Sequence, residues 1–336
     1  MTPAPGAAPF AAARWARRDL AQLVRWADGR PALVTGASGF LGRWLTAHLV
    51  AAGIPVVELS RRGGGRGPGR RVVRHDLELD PAPLAARLAR RSPAVVFHLA
   101  APEPIPGGDG VALVGASLRQ TQHLLDVCLG WPARPRVILV SSGAVYGAAE
   151  VERLSEGCPP APATFHGVAK VMAEALAARA GAAGLPVLTV RPFNVAGPGQ
   201  SATRVLARFA QQVAELEEGR RRPPIVTRGL ETDRDFVDVR DVVTAMVAVA
   251  VHGRLGAAYN VCSGEGTRIG ALLDQMLGLA GLRGVPVRST SDGGVDRSVG
   301  DPTRLRALGW RPAYRLSRTL RDVLDDWRAR PRRPLP

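Results

Sequence analysis

A strand-length apolar run, Ala32-Leu33-Val34, leads into Thr35-Gly36-Ala37-Ser38-Gly39-Phe40-Leu41-Gly42, after which the chain reads as a helix. Three glycines set between a strand and a helix constrain the fold more than any other feature. The first permits a tight turn, the second a close backbone approach, and the third close packing of helix on strand. The free N–H groups and positive dipole end of such a helix attract phosphate. Gly36, Ser38, Gly39, Phe40, Leu41 and Gly42 are therefore expected to cradle the pyrophosphate of a dinucleotide, and Arg43, just after the last glycine, to offer a cation to a 2′-phosphate.

The rest of the chain supports that reading. From Pro31 onward, short β-branched runs (32–35, 56–59, 72–73, 94–98, 137–141 and 187–191) alternate with helix formers (41–52, 84–90, 111–129 and 168–180). Such alternation predicts an α/β fold, a Rossmann-type doubly wound parallel sheet with helices on both faces. Beyond Arg191 the pattern loosens into helices, Pro/Gly breaks and isolated strand-like pieces such as 225–227, which predicts a smaller C-terminal substrate-binding lobe. The expected division is an N-terminal extension over 1–29 with a helix at 10–27, a dinucleotide-binding domain over 30–193 plus 236–262, and the lobe over 194–235 plus 263–330. The first nine residues, rich in Ala and Pro, are expected to be disordered. A ligand would sit in the cleft between the domain and the lobe.

Cofactor choice falls to the end of the second strand, Val56-Val57-Glu58-Leu59-Ser60-Arg61-Arg62. An acidic residue there would hold a ribose 2′-hydroxyl, whereas guanidinium groups suit a 2′-phosphate. Ser60, Arg61 and Arg62 favour NADPH, with NADH as the second choice because Glu58 lies on the same face as Ser60.

The net charge of +16 raises nucleic acid as a ligand, and the tract from Arg61 to Arg71 is the densest basic run. No aromatic side chain interleaves it to stack on bases, so the charge is read as compositional bias. No apolar run approaches the length of a membrane span. Three widely spaced cysteines and the lack of a signal peptide point to a reducing cytoplasm. Histidines 48, 75, 98, 123 and 252 form no metal-ligand spacing.

Within that bias one exception stands out. The chain has 44 arginines and a single lysine, Lys170. An ammonium is a point charge whose pKa can be moved, and a guanidinium does not replace it in that role. Lys170 follows Ser141-Ser142-Gly143-Ala144-Val145-Tyr146-Gly147, and the residue four before it is His166.

With Val96-Phe97-His98-Leu99-Ala100-Ala101, Arg191-Pro192-Phe193-Asn194-Val195, Arg234-Asp235-Phe236-Val237-Asp238 and Leu308-Gly309-Trp310-Arg311-Pro312, these motifs resemble the extended short-chain dehydrogenase/reductases, the NAD-dependent epimerase/dehydratase family. The resemblance covers residues 31 to about 325. It implies Asp76 and Leu77 at the adenine, and Leu99, Ala100, Ala101, Pro192, Asn194 and Val195 along the nicotinamide half. It further implies Ser142 as the hydroxyl on the substrate carbonyl, with Lys170 on the nicotinamide ribose. Asn194, Arg234 and Arg297 would face the substrate, the two arginines where sugar-nucleotide members hold a pyrophosphate. The departure is His166, which stands where the family has its Y-x-x-x-K tyrosine; Tyr146 belongs to another motif.

A nearby ammonium lowers a tyrosine from about 10 toward neutrality and makes it a proton donor, but it pushes a histidine further below about 6.5. His166 should be neutral and a poor source of a full proton. Direct action with Ser142 and a water, an acid carried by the substrate, and an inactive site are the three consequences. Dehydration is disfavoured because Gly143-Ala144 replaces the acidic pair of sugar dehydratases. Epimerisation would need a competent base in both directions. A small-molecule ketone reduced by NADPH fits best, and an arginine-rich, lysine-poor chain suggests an aromatic-polyketide ketoreductase of antibiotic biosynthesis. A nucleotide-sugar 4-ketoreductase or epimerase is the alternative, and a non-catalytic NADP-binding sensor the second. The sequence leaves the assembly open, with a homodimer admitted.

Overall fold

The computed structural model describes residues 14–61, 67–88, 92–102, 107–148, 151–290 and 297–330. The first half of the chain runs α1 (Arg14–Ala27), β1 (Ala32–Thr35), α2 (Phe40–Ala51), β2 (Val56–Ser60), β3 (Arg70–Arg74), α3 (Ala82–Leu88), β4 (Val95–His98), α4 (Gly110–Gly130), β5 (Arg136–Val140) and α5 (Phe165–Ala182). The second half continues with β6 (Val187–Pro192), β7 (Asn194–Ala196), α6 (Val205–Glu217), β8 (Ile225–Arg228), β9 (Asp233–Asp238), α7 (Val239–His252) and β10 (Ala258–Val261). It closes with β11 (Gly266–Arg268), α8 (Ile269–Leu279), β12 (Val287–Thr290), β13 (Arg297–Ser298), α9 (Thr303–Ala307) and α10 (Leu316–Arg328). The expected disorder of residues 1–9 and the start of the expected helix at 10–13 lie outside the described residues.

The main sheet has seven strands in the order β10-β6-β5-β4-β1-β2-β3, and every pairing in it is parallel. The order reverses between β1 and β4, so their carboxyl ends open a crevice at the topological switch point. β1 and β4 are buried along their whole length, which is why their sequences are apolar without alternation. β3, at the edge, carries Arg70, Arg71 and Arg74, charges that discourage pairing with another chain. Side chains of successive residues split between the faces: Ala32 and Val34 meet Leu45, Leu49 and α7, whereas Leu33 meets Leu84, Leu124 and Ala173.

α7 is buried from Val239 through Ala250, so it needs apolar cover on its outer side as well. α1 supplies part of that cover, with Leu23 fully buried against the cluster and Asp19 bonded to His252 at 3.0 Å. A second sheet, with β7, β11 and β13 all paired to β9, carries residues toward the crevice, and α6, α8 and α10 share a separate core around Phe209, Leu272 and Leu320.

Two buried histidines tie the packing to pH. Thr121 Oγ1 donates to the Ser117 carbonyl, so at 3.2 Å it accepts from His98 Nε2–H, and Thr35 Oγ1 donates to the bare Nδ1 at 2.8 Å. Thr35 Oγ1 also accepts from the N–H groups of Leu99 and Ala100 at 3.1 and 3.0 Å, which locks β4 to β1. Burial first, then the Lys170 ammonium, pushes His98 down to about 3, and burial pushes His48 down to about 4. Both folded values lie below the unfolded one near 6.5, so this stability is complete above pH 6.5 and drains away as the pH falls toward 4. At pH 5 each histidine should cost about 2 kcal/mol. A thermal melt at pH 5 is expected roughly 10 °C below one at pH 7.5; equal midpoints would rule the effect out.

Candidate functional site

The phosphate end is built by the turn from β1 into α2. Gly36 has φ +66°, and a Cβ there would stand 2.9 Å from the Ala100 nitrogen. A Cβ on Gly42 would run into the Gly36 carbonyl, so turn, helix and β4 touch backbone to backbone. Gly39 is the N-cap of α2 and offers no side-chain bond, which leaves the first-turn N–H groups for an anion. Phe40 and Leu41 of that turn line a cavity of about 720 Å³, as do Leu99, Ala101, Pro192 and Val195. This cradle fits a dinucleotide pyrophosphate.

Other expected cofactor residues are dispersed. Ser60 ends β2 and Arg61 is exposed beyond it, while Arg62 lies outside the described residues. Glu58 is tied to Arg70 of β3 at 2.5 Å, which takes its carboxylate away from a ribose. Arg43 points elsewhere and donates to the Gly199 carbonyl at 3.0 Å. Asp76 closes a turn by accepting from Glu78 N at 3.0 Å, and Leu77 is buried beside it with its carbonyl on His123.

At the reacting end, α5 begins three residues earlier than expected because Thr164 Oγ1 caps it, accepting from Gly167 N at 3.1 Å. His166 therefore sits in the first helical turn, one turn before Lys170, and both line the cavity with Ser142. Ser142 Oγ accepts from Ala144 N at 3.1 Å, which leaves its own O–H to donate. Lys170 is 8% exposed and gives one N–H to the Val140 carbonyl at 2.8 Å. Burial lowers its pKa to about 8, with Glu174 one turn on pulling back upward. His166 drops to about 4, mainly through burial, with Lys170 and Arg204 adding to it. The neutral ring expected from sequence is present, but desolvation rather than the ammonium is the larger cause.

Behind this trio lies a polar network that the sequence reading did not find. Glu174 accepts from Ser141 Oγ at 2.5 Å and from two nitrogens of Arg191 at 2.9 and 2.6 Å. Arg191 donates onward to the Tyr146 hydroxyl at 2.8 Å, which donates to Asn260 Oδ1 at 2.7 Å. Burial raises the Tyr146 phenol to about 12 against the pull of Arg191, so it holds structure and not a transferable proton. Glu174 was legible as the residue four after Lys170.

The substrate side needs one correction. Asn194 and Arg234 line the cavity, Asn194 with its amide donating to the Asp235 carbonyl at 3.0 Å. Arg297 does not line it; its guanidinium pairs with Asp233 at 3.2 Å on the outer edge of β9. The other cation at the cavity is Arg204, at the start of α6, which nothing in an arginine-rich sequence had marked out. Among the described residues, Lys170, Arg204 and Arg234 line the cavity and no Asp or Glu does. Among the described residues no helix is long and apolar enough to cross a membrane.

Comparison with known proteins agrees with this geometry. The profile of the NAD dependent epimerase/dehydratase family matches residues 32–262. A GDP-6-deoxy-D-mannose reductase of Pseudomonas aeruginosa is 32% identical over 311 residues, 89% of this chain and 97% of the relative. The structure of RMD from Pseudomonas aeruginosa complexed with NADPH superposes with a TM-score of 0.76 at 30% identity, covering 89% of this chain and 99% of that one. A Thermus thermophilus UDP-glucose 4-epimerase complexed with NAD gives 0.78 at 28% identity, covering 89% and 99%. The chain belongs to the NAD dependent epimerase/dehydratase family, the extended short-chain dehydrogenase/reductases, and is an NAD(P)-dependent oxidoreductase.

Proposed function

We propose that this protein uses NADPH to reduce the ketone of a nucleotide-diphosphate-linked keto sugar at C4. The observation that carries the reading is that, among the described residues, Lys170, Arg204 and Arg234 line the cavity and no Asp or Glu does. Such a lining suits a ligand with two phosphates, and Arg234 is the arginine we assign to them through charge-assisted hydrogen bonds. The names of the relatives, a reductase of a GDP-linked deoxy sugar among them, favour the same class. An aromatic polyketide in antibiotic biosynthesis finds no support there, and such a ketone has no diphosphate to meet Arg234. The sensor reading loses ground for the same reason, since the relatives are enzymes.

Reduction is favoured over epimerisation by His166. A ring with a pKa near 4 donates a hydrogen bond at neutral pH but does not cycle a proton in both directions. Bound nicotinamide supplies a hydride equivalent. The chain contributes the rest: Ser142 O–H and a His166 N–H face the carbonyl oxygen, and two Lys170 N–H groups not on Val140 are available to ribose hydroxyls. NADPH is preferred over NADH because Glu58 is paired with Arg70 while Ser60 ends β2 and Arg61 follows it.

The test is NADPH consumption, with NADH in parallel, on GDP-, dTDP- and UDP-linked 4-keto-6-deoxy sugars and on hydroxylated aromatic ketones. Turnover confined to the nucleotide-linked set, faster with NADPH, is expected. Turnover confined to the aromatic set would overturn the substrate class.

A further inference from the structure

The tyrosine that would face the reduced carbonyl oxygen is missing, and the neutral His166 brings no positive charge in its place. The wall contributed by the start of α6 does. Arg204 is the N-cap of α6, with an extended backbone (φ −99°, ψ 142°) and no side-chain capping bond. Arg204 lines the same cavity as Ser142 and His166, and its side chain has no hydrogen bond or ion pair with any other described residue. Other arginines near the site are engaged: Arg191 with Glu174, Arg240 with Asp238, and Arg297 with Asp233. Arg204 is also exposed, so water reaches it. Its charge is felt at the reacting end, where it is one of the groups that disfavour a protonated His166.

We propose that Arg204 is a catalytic residue that takes over the charge-stabilising half of the missing tyrosine's role, holding the negative oxygen formed on ketone reduction together with Ser142 and His166. The proposal rests on the reductase reading above. In the step, the carbonyl carbon gains hydride from NADPH, the C=O π pair moves onto oxygen, and the cofactor leaves oxidised. Water then donates the proton that completes the hydroxyl, and the hydroxide it leaves is neutralised by buffer. Arg204 keeps its protons throughout, as a guanidinium does at any physiological pH. A guanidinium beside the oxygen stabilises the negative charge that develops there more than it stabilises the neutral ketone, and that difference lowers the barrier.

A double-substitution cycle tests this. Steady-state kinetics are measured for the wild type, Arg204→Gln, Arg204→Lys, His166→Tyr and His166→Tyr/Arg204→Gln. Two ketones are used, a nucleotide-linked keto sugar and trifluoroacetophenone, which carries no phosphate. Arg204→Gln is expected to lower kcat about 10²- to 10³-fold on both, the size of losing one preorganised oxyanion donor. Arg204→Lys should stay within roughly tenfold of the wild type, because the charge is kept. With the tyrosine restored, the same Gln substitution should cost under about fivefold, since the phenol then serves the oxygen. A rise in KM on the sugar alone with kcat intact would make Arg204 a diphosphate clamp and overturn the proposal. Equal losses in both backgrounds would also overturn it. A wild type inert toward both ketones would instead sink the reductase reading, and this one with it.

Discussion

Lys170→Met should cut turnover at least about a hundredfold while leaving the fold intact. It is the chain's single lysine, buried in the cavity lining with one N–H on the Val140 carbonyl, and the proposed function gives its other N–H groups to a nicotinamide ribose. Without it the ring that donates hydride loses its anchor, and kcat/KM should fall about 10²- to 10⁴-fold. Stability should respond differently. Folding holds Lys170 down at about 8, so the ammonium is disfavoured by about 3 kcal/mol relative to a solvated one. Methionine removes that cost but leaves the Val140 carbonyl unpaired, a loss of about 1 to 3 kcal/mol. The two nearly cancel, and the melting midpoint should stay within about 5 °C. A variant that keeps more than a tenth of wild-type activity would remove Lys170 from the reaction.

Gly42→Val should lose the cofactor. The added side chain would be driven into the Gly36 carbonyl and stand 2.7 Å from Ala37 Cα, all of it backbone that cannot swing aside. α2 would have to retreat from β1, and its N–H groups would move away from the pyrophosphate. An NADPH dissociation constant at least about 100-fold higher is expected, a loss of about 2.7 kcal/mol, with destabilisation of several kcal/mol from overpacking. Gly53→Ala is the control. Gly53 has positive φ, at +81°, but nothing lies within 4 Å of its missing Cβ. It should cost about 1 kcal/mol of stability and leave NADPH binding unchanged. A fluorescence titration and a melt on both variants separate the cases; equal NADPH affinity in the two would sink the phosphate role of the turn.

The sheet, its parallel sense and the glycine turn were legible because they rest on local signals. A run of buried β-branched residues and glycines set between a strand and a helix each act within a few residues; the Thr164 cap, equally local, went unread and the start of α5 was placed three residues late. Partners were not legible. Glu58 was compatible with a ribose until β3 brought Arg70 to it, and Arg297 resembled a phosphate ligand until β9 offered Asp233. Both bonds join strands that pair only after the sheets form.

The sequence by itself determined the α/β architecture, the family, the dinucleotide turn and the pair His166–Lys170 on one helix face. The tertiary structure alone decided that Arg204, and not Arg297, reaches the cavity, that Tyr146 is spent on Arg191 and Asn260, and that burial does most to keep His166 neutral. The reason is physical. Backbone geometry follows from neighbours along the chain, whereas the partner of a charged side chain and its share of water are set by elements distant in sequence. With 44 arginines to choose from, composition could not single out the ones that line the cavity.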